Sequence, residues 1–515
     1  MSRHGQDAAG PRGSAAFAVL VVVIAMGQAA AAQGLEDFQA HGDVGAVKTA
    51  GSVTRDAETG AYTLSGSGTN MWAGSDEFFF VWKKMRGDLI LSADAEFPGE
   101  GVEPHRKLGW MIRASLDSDS PYVDIARHGD GLTSLQFRRD KGADTEQVVS
   151  EITAADVLQL ERRGGRYVMS VARRGDTFET AELTDIELPD EVYVGLFICA
   201  HNPDVVETGR FTNVRITVPA PEDFTPYRDY YGSRLEIMDV DTGLRRVVHT
   251  ETDSLQAPNW TRDGKALIYN RNGALYRFDI ATGAVSKIDT GFATDNNNDH
   301  VISFDGSQLA ISDQSDGHGG VSQVFTLPIG GGVPKLVTKQ GPSYFHGWSP
   351  DGRWLVYTGG RDGAWDIYKI RSSGSGEEIR LTDNEALDDG PEFSPDGAWI
   401  YFNSTRGGTM DIWRMRPDGS DQERVTSDEY NDWFPHVSPD GTRLVYLAYL
   451  PDVAPAEHPW YRHVYLMLRP VAGGESRVIA NVYGGQGTIN VPSWSPDGRR
   501  IAFVSNTVFQ GDDIE

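Results

Sequence analysis

The chain has 515 residues, of which 39% are hydrophobic and 10% aromatic, and a formal net charge of −27. This length exceeds one ordinary hydrophobic core, so more than one domain is expected. The negative charge repels polyanions and argues against a nucleic-acid partner, and the single cysteine, Cys199, excludes an intrachain disulfide bond.

The first 32 residues are typical of a secretory signal peptide. Arg3 and Arg12 provide positive charge, residues 15–26 are largely apolar, and small residues lead up to position 32. The apolar stretch is short for a membrane span, and a retained membrane anchor is the alternative interpretation. We predict a signal peptide over residues 1–32 and a mature chain in the periplasm or outside the cell, with no stable transmembrane segment.

Residues 33–218 have the pattern of strands separated by glycine-containing turns. Residues 88–97, for example, alternate apolar and polar side chains, as in a strand with one buried face. The arrangement is similar to that of concanavalin-like jelly rolls, a β-sandwich class that often binds or cleaves glycans. The resemblance implies a concave face for sugar binding, and the alternative is that its tryptophans fill the core. The candidates for that face are Trp72, Trp82, Trp110, Arg113 and Tyr122.

Residues 219–232 are predicted to be a linker, because they begin with a polar, proline-containing stretch. One segment then recurs six times within residues 233–506. Each copy has a short strand, a turn of the Ser-Pro-Asp-Gly type and a second strand rich in β-branched and aromatic residues. Proline presets φ in such a turn, and glycine accepts a positive φ. The turn aspartates are Asp263, Asp305, Asp351, Asp396, Asp440 and Asp497.

The spacing of these turns is typical of propeller blades, which repeat about every 40–45 residues. Residues 234–248 match residues 274–288, which are the third and fourth strands of the first complete unit. The N-terminal strands are therefore expected to complete the last blade, which closes the ring and removes its open edges. Residues 507–515 are predicted to be a C-terminal tail.

With these turns the chain resembles the propeller of the TolB family over about residues 230–506. Residues 432–436 and 484–494 also look like those of a TolB-like subgroup of secreted proteins. The region before the propeller departs from TolB, where a small α/β domain precedes the blades, and the Tol–Pal role does not follow. The predicted fold class is all-β: a six-bladed β-propeller preceded by a jelly-roll or concanavalin-like β-sandwich.

Propellers bind ligands in the central channel, which the innermost strand of each blade lines. Aligning the six units gives one position, just before the turn, that is polar or aromatic in every blade although a buried strand does not require it. We predict that this ring binds the ligand. Its members are Gln256, Asn298, Tyr344, Asp389, Trp433 and Asn490.

His300 and His346 occupy equivalent positions in adjacent blades, and His436 lies nearby in sequence register. Neutral imidazoles that converge on a channel can hold a divalent metal, with Asp388, Asp389, Asp432 and Gln256 as further ligands. The chain resembles oligogalacturonate lyases in general outline, and that resemblance implies a His-rich metal site in the channel. The alternative is that the histidines hydrogen-bond within the protein and bind no metal. Residues 295–299 are either a calcium loop or a polar loop before a strand.

Two functions from different classes are consistent with these patterns, and whether the chain is an enzyme stays open. The first is a binding or interaction platform for protein or glycan ligands. The second is a polysaccharide lyase or hydrolase that acts in the channel, because glycoside cleavage needs two carboxyl groups. The insertion over residues 450–463 is expected to cover the channel mouth, where Trp460 and Tyr461 would contact a ligand. The candidate catalytic residues are Asp388, Asp389, Asp432 and His436.

Overall fold

The computed structural model describes residues 30–31, 34–226, 228–315 and 319–509. The predicted signal peptide lies outside the described residues except for Ala30 and Ala31, and so do residues 510–515 of the predicted tail. The described part consists of strands and a short 3-10 helix over Thr405–Gly407, which confirms the all-β class. None of its helices has the length and apolar character needed to cross a membrane.

The first fifteen strands form two antiparallel sheets. The eight-stranded sheet has the order β1-β2-β5-β14-β7-β8-β9-β10, and the seven-stranded sheet has the order β13-β12-β11-β6-β15-β4-β3. The strands are β1 (Ala30–Ala31), β2 (Ala40–Val44), β3 (Ser52–Arg55), β4 (Tyr62–Gly66), β5 (Phe78–Arg86), β6 (Leu89–Glu96), β7 (Lys107–Arg113), β8 (Tyr122–His128), β9 (Thr133–Arg138), β10 (Glu146–Val149), β11 (Val157–Arg163), β12 (Arg166–Ala172), β13 (Glu179–Leu183), β14 (Glu191–Cys199) and β15 (Glu207–Thr217).

Alternating apolar side chains from the two sheets meet in one continuous hydrophobic core. Trp110 and Leu196 from the eight-stranded sheet pack in the same cluster as Leu91, Leu160 and Phe211 from the other. Burial of such residues is the main favourable term in folding. The arrangement agrees with the strand pattern of the sequence, and its assignment to the concanavalin-like jelly rolls stays a prediction.

Most of the aromatic residues proposed for a glycan-binding face are buried. Trp82, Trp110 and Tyr122 are at most 5% exposed, and the Arg113 side chain is fully buried. Arg113 lies 3.4 Å from Asp76 in an internal ion pair. The described structure therefore places these side chains in the protein interior, as the alternative interpretation held, and leaves Trp72 exposed.

The remaining strands form the propeller, and each of blades 1–5 is a four-stranded antiparallel sheet. Blade 1 contains β18–β21, blade 2 β22–β25, blade 3 β26–β29, blade 4 β30–β33 and blade 5 β34–β37. The strands are β16 (Ser233–Asp239), β17 (Arg245–Glu251), β18 (Gln256–Trp260), β19 (Ala266–Arg271), β20 (Ala274–Asp279), β21 (Val285–Lys287), β22 (Asn296–Ile302), β23 (Gln308–Asp313), β24 (Gln323–Pro328), β25 (Lys335–Leu336), β26 (Ser343–Trp348), β27 (Trp354–Arg361), β28 (Ala364–Arg371), β29 (Ile379–Arg380), β30 (Asp388–Phe393), β31 (Ile400–Ser404), β32 (Asp411–Met415), β33 (Glu423–Arg424), β34 (Asn431–Val437), β35 (Arg443–Tyr449), β36 (Arg462–Pro470), β37 (Arg477–Gly484) and β38 (Arg500–Asn506).

Blade 6 joins the two ends of the propeller sequence. β38 pairs antiparallel with β16, which pairs with β17, and Trp494 forms a bridge to Ile501 on the inner side. This confirms the prediction of six blades closed by the N-terminal strands. Closure gives the edge of β38 a hydrogen-bonding partner inside the same chain.

The recurrent turns have the conformation that their sequence predicts. The turn glycines have φ values from 68° to 74°, as at Gly498 and Gly306, where a side chain would be strained. In blade 3 the hydroxyl of Ser349 donates to Oδ1 of Asp351 over 2.6 Å, and the amide of Arg353 donates to the same oxygen. These bonds explain why serine and aspartate recur in the motif.

Candidate functional site

The central channel opens at one mouth into a cavity of ≈ 700 Å³. The first residues of the inner strands surround it, whereas the ends of these strands and the Ser-Pro-Asp-Gly turns surround a smaller cavity of ≈ 260 Å³ at the other mouth. Amide, carboxyl, imidazole and aromatic side chains all contribute to the lining of the larger cavity. It is lined by Asn297, Asn298, Asp299, Gln314, Tyr344, His346, Thr358, Trp365, Leu387, Asp389, Phe434, Ala456, His458, Gln486 and Asn490.

β-Bulges on the inner strands decide which side chains face this cavity. In blade 3 the bulge is the single residue His346. In blade 2 the bulge comprises residues 297–299, and regular pairing with β23 resumes at His300. Asp299 therefore lies on the cavity wall as His346 does, while Nε2 of His300 lies 3.2 Å from the carbonyl oxygen of Ile268 in blade 1. A bulge that re-aims side chains in this way is common near functional sites.

Asp389 and His346 form an ion pair on the cavity wall. Nε2 of His346 is 3.4 Å from Oδ1 of Asp389, which also accepts hydrogen bonds from the Thr358 hydroxyl over 2.6 Å and from the Gly390 amide over 2.8 Å. Although burial opposes ionisation, these bonds and the charge of His346 lower the pKa of Asp389 to about 2. The charges of Asp299 and Asp389 outweigh burial and raise the pKa of His346.

Asp299 is the second carboxyl group of the cavity and has few partners. Its side chain accepts a hydrogen bond from the Asn297 amide over 2.6 Å, and its exposed fraction is 5%. Burial and the nearby charge of Asp389 raise the pKa of Asp299 to about 6, against the opposing effect of His346. The cavity thus contains two carboxyl groups whose pKa values are well separated.

The insertion between β35 and β36 supplies the cavity with His458. The imidazole of His458 stacks on the indole of Trp433, with 4.4 Å between ring centroids and 7° between planes. Burial lowers the pKa of His458 to about 4, so its ring is neutral at physiological pH. The insertion therefore reaches the channel mouth, as predicted, but the residues that line the cavity are Ala456 and His458.

Trp460 and Tyr461 of the same insertion lie elsewhere, in a cluster with Ile90 of the N-terminal sheets and Tyr483. The hydroxyl of Tyr461 accepts a hydrogen bond from the amide of Tyr231. The expectation that these two aromatic residues contact a ligand is wrong for the described structure, because they pack between the linker, the N-terminal sheets and blade 5.

Four members of the predicted channel ring line the cavity and two do not. Asn298, Tyr344, Asp389 and Asn490 are on its wall. The side-chain amide of Gln256 donates a hydrogen bond to the hydroxyl of Ser254 over 2.5 Å, so Gln256 is directed toward Ser254. Trp433 lies behind His458 and supports that ring from outside the cavity.

Three of the four predicted catalytic residues lie away from the cavity. Asp388 is buried on the outer side of its strand, 2.7 Å from the Arg406 guanidinium. Asp432 is buried in blade 5, where burial and the charge of Asp428 raise its pKa well above the usual range. Deeper in the channel, His436 donates from Nδ1 to Glu392 over 2.5 Å. Asp389 alone of the four is on the cavity wall.

The two histidines proposed as metal ligands face different surroundings, since His346 lines the cavity and His300 contacts blade 1. The polar run at residues 295–299 is also divided. Asn296 donates to the carbonyl oxygens of Gly273 and Ala293, while Asp299 faces the cavity. The described geometry brings neither set together as one metal site.

Asp299, Asn297 and His458 are cavity residues that the alignment of repeats does not single out. The longer bulge of blade 2 displaces Asp299 from the aligned column, and His458 belongs to an insertion with no counterpart in other blades. The only sequence feature that pointed to Asp299 was the polar run at residues 295–299. Trp365 lines the cavity from β28, the third strand of blade 3, and therefore lies outside the aligned inner-strand positions.

The fold and the cavity together define a six-bladed β-propeller with a polar ligand-sized site in its channel. A model of the TolB β-propeller domain matches residues 346–452. An uncharacterized protein of Agrobacterium fabrum is 49% identical over 273 residues, which are 53% of this chain and 92% of that protein. The chain belongs to the TolB-like β-propeller family.

One solved structure agrees with this assignment. A TolB-like protein from Agrobacterium tumefaciens is 48% identical and has a TM-score of 0.51, with 54% of this chain and 98% of that chain covered. TolB from Acinetobacter baumannii is also similar, at 18% identity and a TM-score of 0.39, with coverage of 50% of this chain and 65% of that chain.

Proposed function

We propose that the mature chain is a periplasmic recognition protein whose propeller cavity binds a cationic or neutral polar group of a protein or glycan ligand. The observation that carries the proposal is the cavity wall, where carboxylates lie beside aromatic rings and amides. Such a combination orients a ligand by a few polar contacts and holds it by ring stacking.

The charge balance of the cavity favours particular ligands. At neutral pH Asp389 is ionised, Asp299 is mostly ionised and His458 is neutral. The two carboxylates raise the pKa of His346, and the wall carries a net negative charge in either form of that ring. Trp365 and Tyr344, whose ring centroids are 5.9 Å apart, add faces that attract a cation or stack on a sugar. A lysine or arginine side chain or a neutral sugar fits this wall, and a uronate does not.

The test is direct binding by the mature chain, residues 33–515. Arrays of lysine- and arginine-containing peptides and of neutral and uronic oligosaccharides would identify the ligand class, and titration calorimetry would give Kd for the best binder. Asp389→Asn and Trp365→Ala should each weaken binding about tenfold or more, equivalent to about 1.4 kcal/mol.

Asp383→Asn is the matched control, because this aspartate lies in the loop between β29 and β30, just before the strand that carries Asp389, and its side chain is 83% exposed. Its Kd should equal that of the wild type. Binding that survives both cavity variants, or a preference for uronic oligosaccharides, would contradict a cavity with this charge.

A second candidate function is polysaccharide cleavage, and the separated pKa values of Asp299 and Asp389 favour it. A carboxyl group with a pKa of about 6 is able to donate a proton near neutral pH, while its neighbour stays ionised. Release of reducing or unsaturated sugars by the wild type, lost in both Asp299→Asn and Asp389→Asn, would establish this function. Binding without product release would leave the recognition role.

The proposed location rests on the signal-peptide pattern of residues 1–32 and on membership in the TolB-like family. Fractionation of cells that express the full chain tests it. The mature protein should appear in the periplasmic fraction with Gln33 at its N-terminus, and recovery of the full chain from the membrane fraction would instead indicate a retained anchor.

A further inference from the structure

Two histidines and an aspartate meet at one end of the eight-stranded N-terminal sheet. His128 is the last residue of β8, Asp130 lies in the turn that follows, and His105 is in the loop before β7. β7 and β8 pair with Lys107 opposite His128, which brings the two loops together. The ligand atoms of the three side chains lie within 4.8 Å of one another, and Nδ1 of His105 is 3.7 Å from Oδ2 of Asp130.

Main-chain hydrogen bonds hold these loops in place. The Gly129 amide donates to the carbonyl oxygen of Arg106 over 2.8 Å, and the Asp130 amide donates to that of Pro104 over 2.8 Å. The backbone on both sides of His105 is thus fixed to the turn that carries Asp130. A ligand that needs these side chains close together finds the backbone already arranged.

The environment of His128 points to a ligand. Its residue exposure is 5%, and its Nδ1 atom is buried with no hydrogen-bond partner. Buried polar atoms rarely lack a partner. On the other side of the ring, Nε2 of His128 is 3.2 Å from the side-chain amide nitrogen of Gln136.

A third imidazole adjoins the group. The ring of His201 is 5.5 Å from that of His105, which in turn is 6.0 Å from that of His128. His201 has a φ of 56°, a left-handed conformation that is uncommon for a residue with a side chain and often marks a functional position.

We propose that His105, His128 and Asp130 bind one divalent ion of the zinc type, with His201 or water as the fourth ligand. Imidazole nitrogens and a carboxylate oxygen in a set of three or four are the donors that Zn²⁺ takes in proteins. An ion on Nδ1 of His128 requires the ring proton on Nε2, which lies 3.2 Å from the Gln136 amide nitrogen; turning the Gln136 carboxamide over would let its oxygen accept from that N–H and orient the ring, as outer partners commonly do.

Neighbouring positive charges leave room for the ion. Arg106 is directed away, to Glu207 at 2.6 Å, and the Lys107 ammonium donates to the side-chain oxygens of Asn70 and Gln136. The side chains of His105 and Asp130 are 53% and 38% exposed, so the ion reaches the site from solvent. Its effect would be to clamp the loop before β7 to the β8–β9 turn.

The test uses the mature chain without a polyhistidine tag, freed of metal by a chelator and titrated with zinc chloride. One Zn²⁺ per chain should bind and raise the melting temperature, and Co²⁺ in its place should give the visible absorption of a four-coordinate site. His105→Ala and Asp130→Asn, at exposed side chains, should each weaken Zn²⁺ binding about 100-fold or more and abolish the Co²⁺ spectrum, with the metal-free melting temperature unchanged.

His346→Ala separates this site from the propeller channel and should bind Zn²⁺ as the wild type does. Retained stoichiometric Zn²⁺ in the His105→Ala, Asp130→Asn double variant would overturn the proposal, and so would loss of Zn²⁺ in His346→Ala alone. Equal binding by all variants would identify surface association with no defined site and would also reject the proposal.

Discussion

Asp299 lies where the folded protein disfavours its charge. The side chain is buried beside Asp389 and receives one side-chain hydrogen bond, from Asn297, which is too little to offset burial and repulsion. Natural sequences depart from favourable local choices mainly at functional sites, and perturbed carboxyl groups in a cleft are candidates for such sites. Asp299 is therefore the residue at which stability and function should conflict.

The substitution Asp299→Asn should stabilise the protein at neutral pH. The folded pKa of about 6 exceeds the usual value of 3.8, so the contribution of Asp299 to stability falls as pH rises from about 4 to 6 and then stays level. Removing the charge should raise the free energy of unfolding by on the order of 2–3 kcal/mol above pH 6 and by little at pH 4. Urea unfolding at pH 4 and pH 8 checks this, and an equal effect at the two values would contradict it.

Asp389→Asn should lower the pKa of His346. In the wild type the pKa of His346 is raised by Asp299 and by the bond and charge of Asp389, so the stability that the pair contributes is present below about 6.5 and is lost as pH rises through the folded value. NMR titration of ring signals in histidine-labelled protein measures the pKa, with His346→Gln to assign the signal. An unchanged pKa would show that Asp389 is not its main partner.

The sequence predicted part of this site, and the reason for the limit is physical. Asn298, Tyr344 and Asp389 share an aligned column whose polarity no buried strand requires. Asp299 was out of reach because the length of a bulge is set by pairing with the next strand, which sequence alignment does not show. His458 reaches the cavity from an insertion, whose path depends on packing against the rest of the fold.

At the scale of the element, the Ser-Pro-Asp-Gly turns carried the fold prediction because their residues have local reasons to recur. Serine and aspartate bond each other and the following backbone, and glycine takes a positive φ. The match of residues 234–248 with residues 274–288 also predicted ring closure, which β16 and β38 confirm. The N-terminal strands lack such a repeat. Their alternating pattern therefore predicted that strands form, but it did not predict the order of those strands in the two sheets.

Gly352→Ala should destabilise the protein through backbone conformation alone. Gly352 has a φ of 70°, and a Cβ atom there would meet nothing within 4 Å. The strain of a left-handed alanine costs about 1 kcal/mol. Gly330→Ala is the matched control, since its space is equally open and its φ is not in the positive range. Urea midpoints measure both, and equal losses would show that conformation at the turn is not the cause.

At the scale of the whole molecule, a buried polar network joins the N-terminal sheets to the closing blade. The carboxylate of Glu236 on β16 accepts from Arg215 on β15 over 2.6 Å and from Ser505 on β38 over 2.5 Å. Arg245 on β17 is 2.9 Å from the same carboxylate. The network therefore includes the strands that close the propeller and a strand of the N-terminal region, and it couples their stability.

Arg215→Met should weaken that coupling. Burial opposes ionisation of Glu236, but Arg215 and Arg245 lower its pKa below the usual 4.5, so the stabilisation is complete at neutral pH and is lost only in strong acid. Loss of one buried partner should cost on the order of 2–4 kcal/mol.

Arg210→Met, on the same strand but in an exposed pair with Glu96, should cost less than about 1 kcal/mol. In scanning calorimetry, Arg215→Met should melt at a lower temperature than the wild type and Arg210→Met. Its N-terminal sheets and its propeller should unfold in separate transitions. Equal melting of the two variants would place the coupling elsewhere, in the packing of Trp460 and Tyr461 against Ile90.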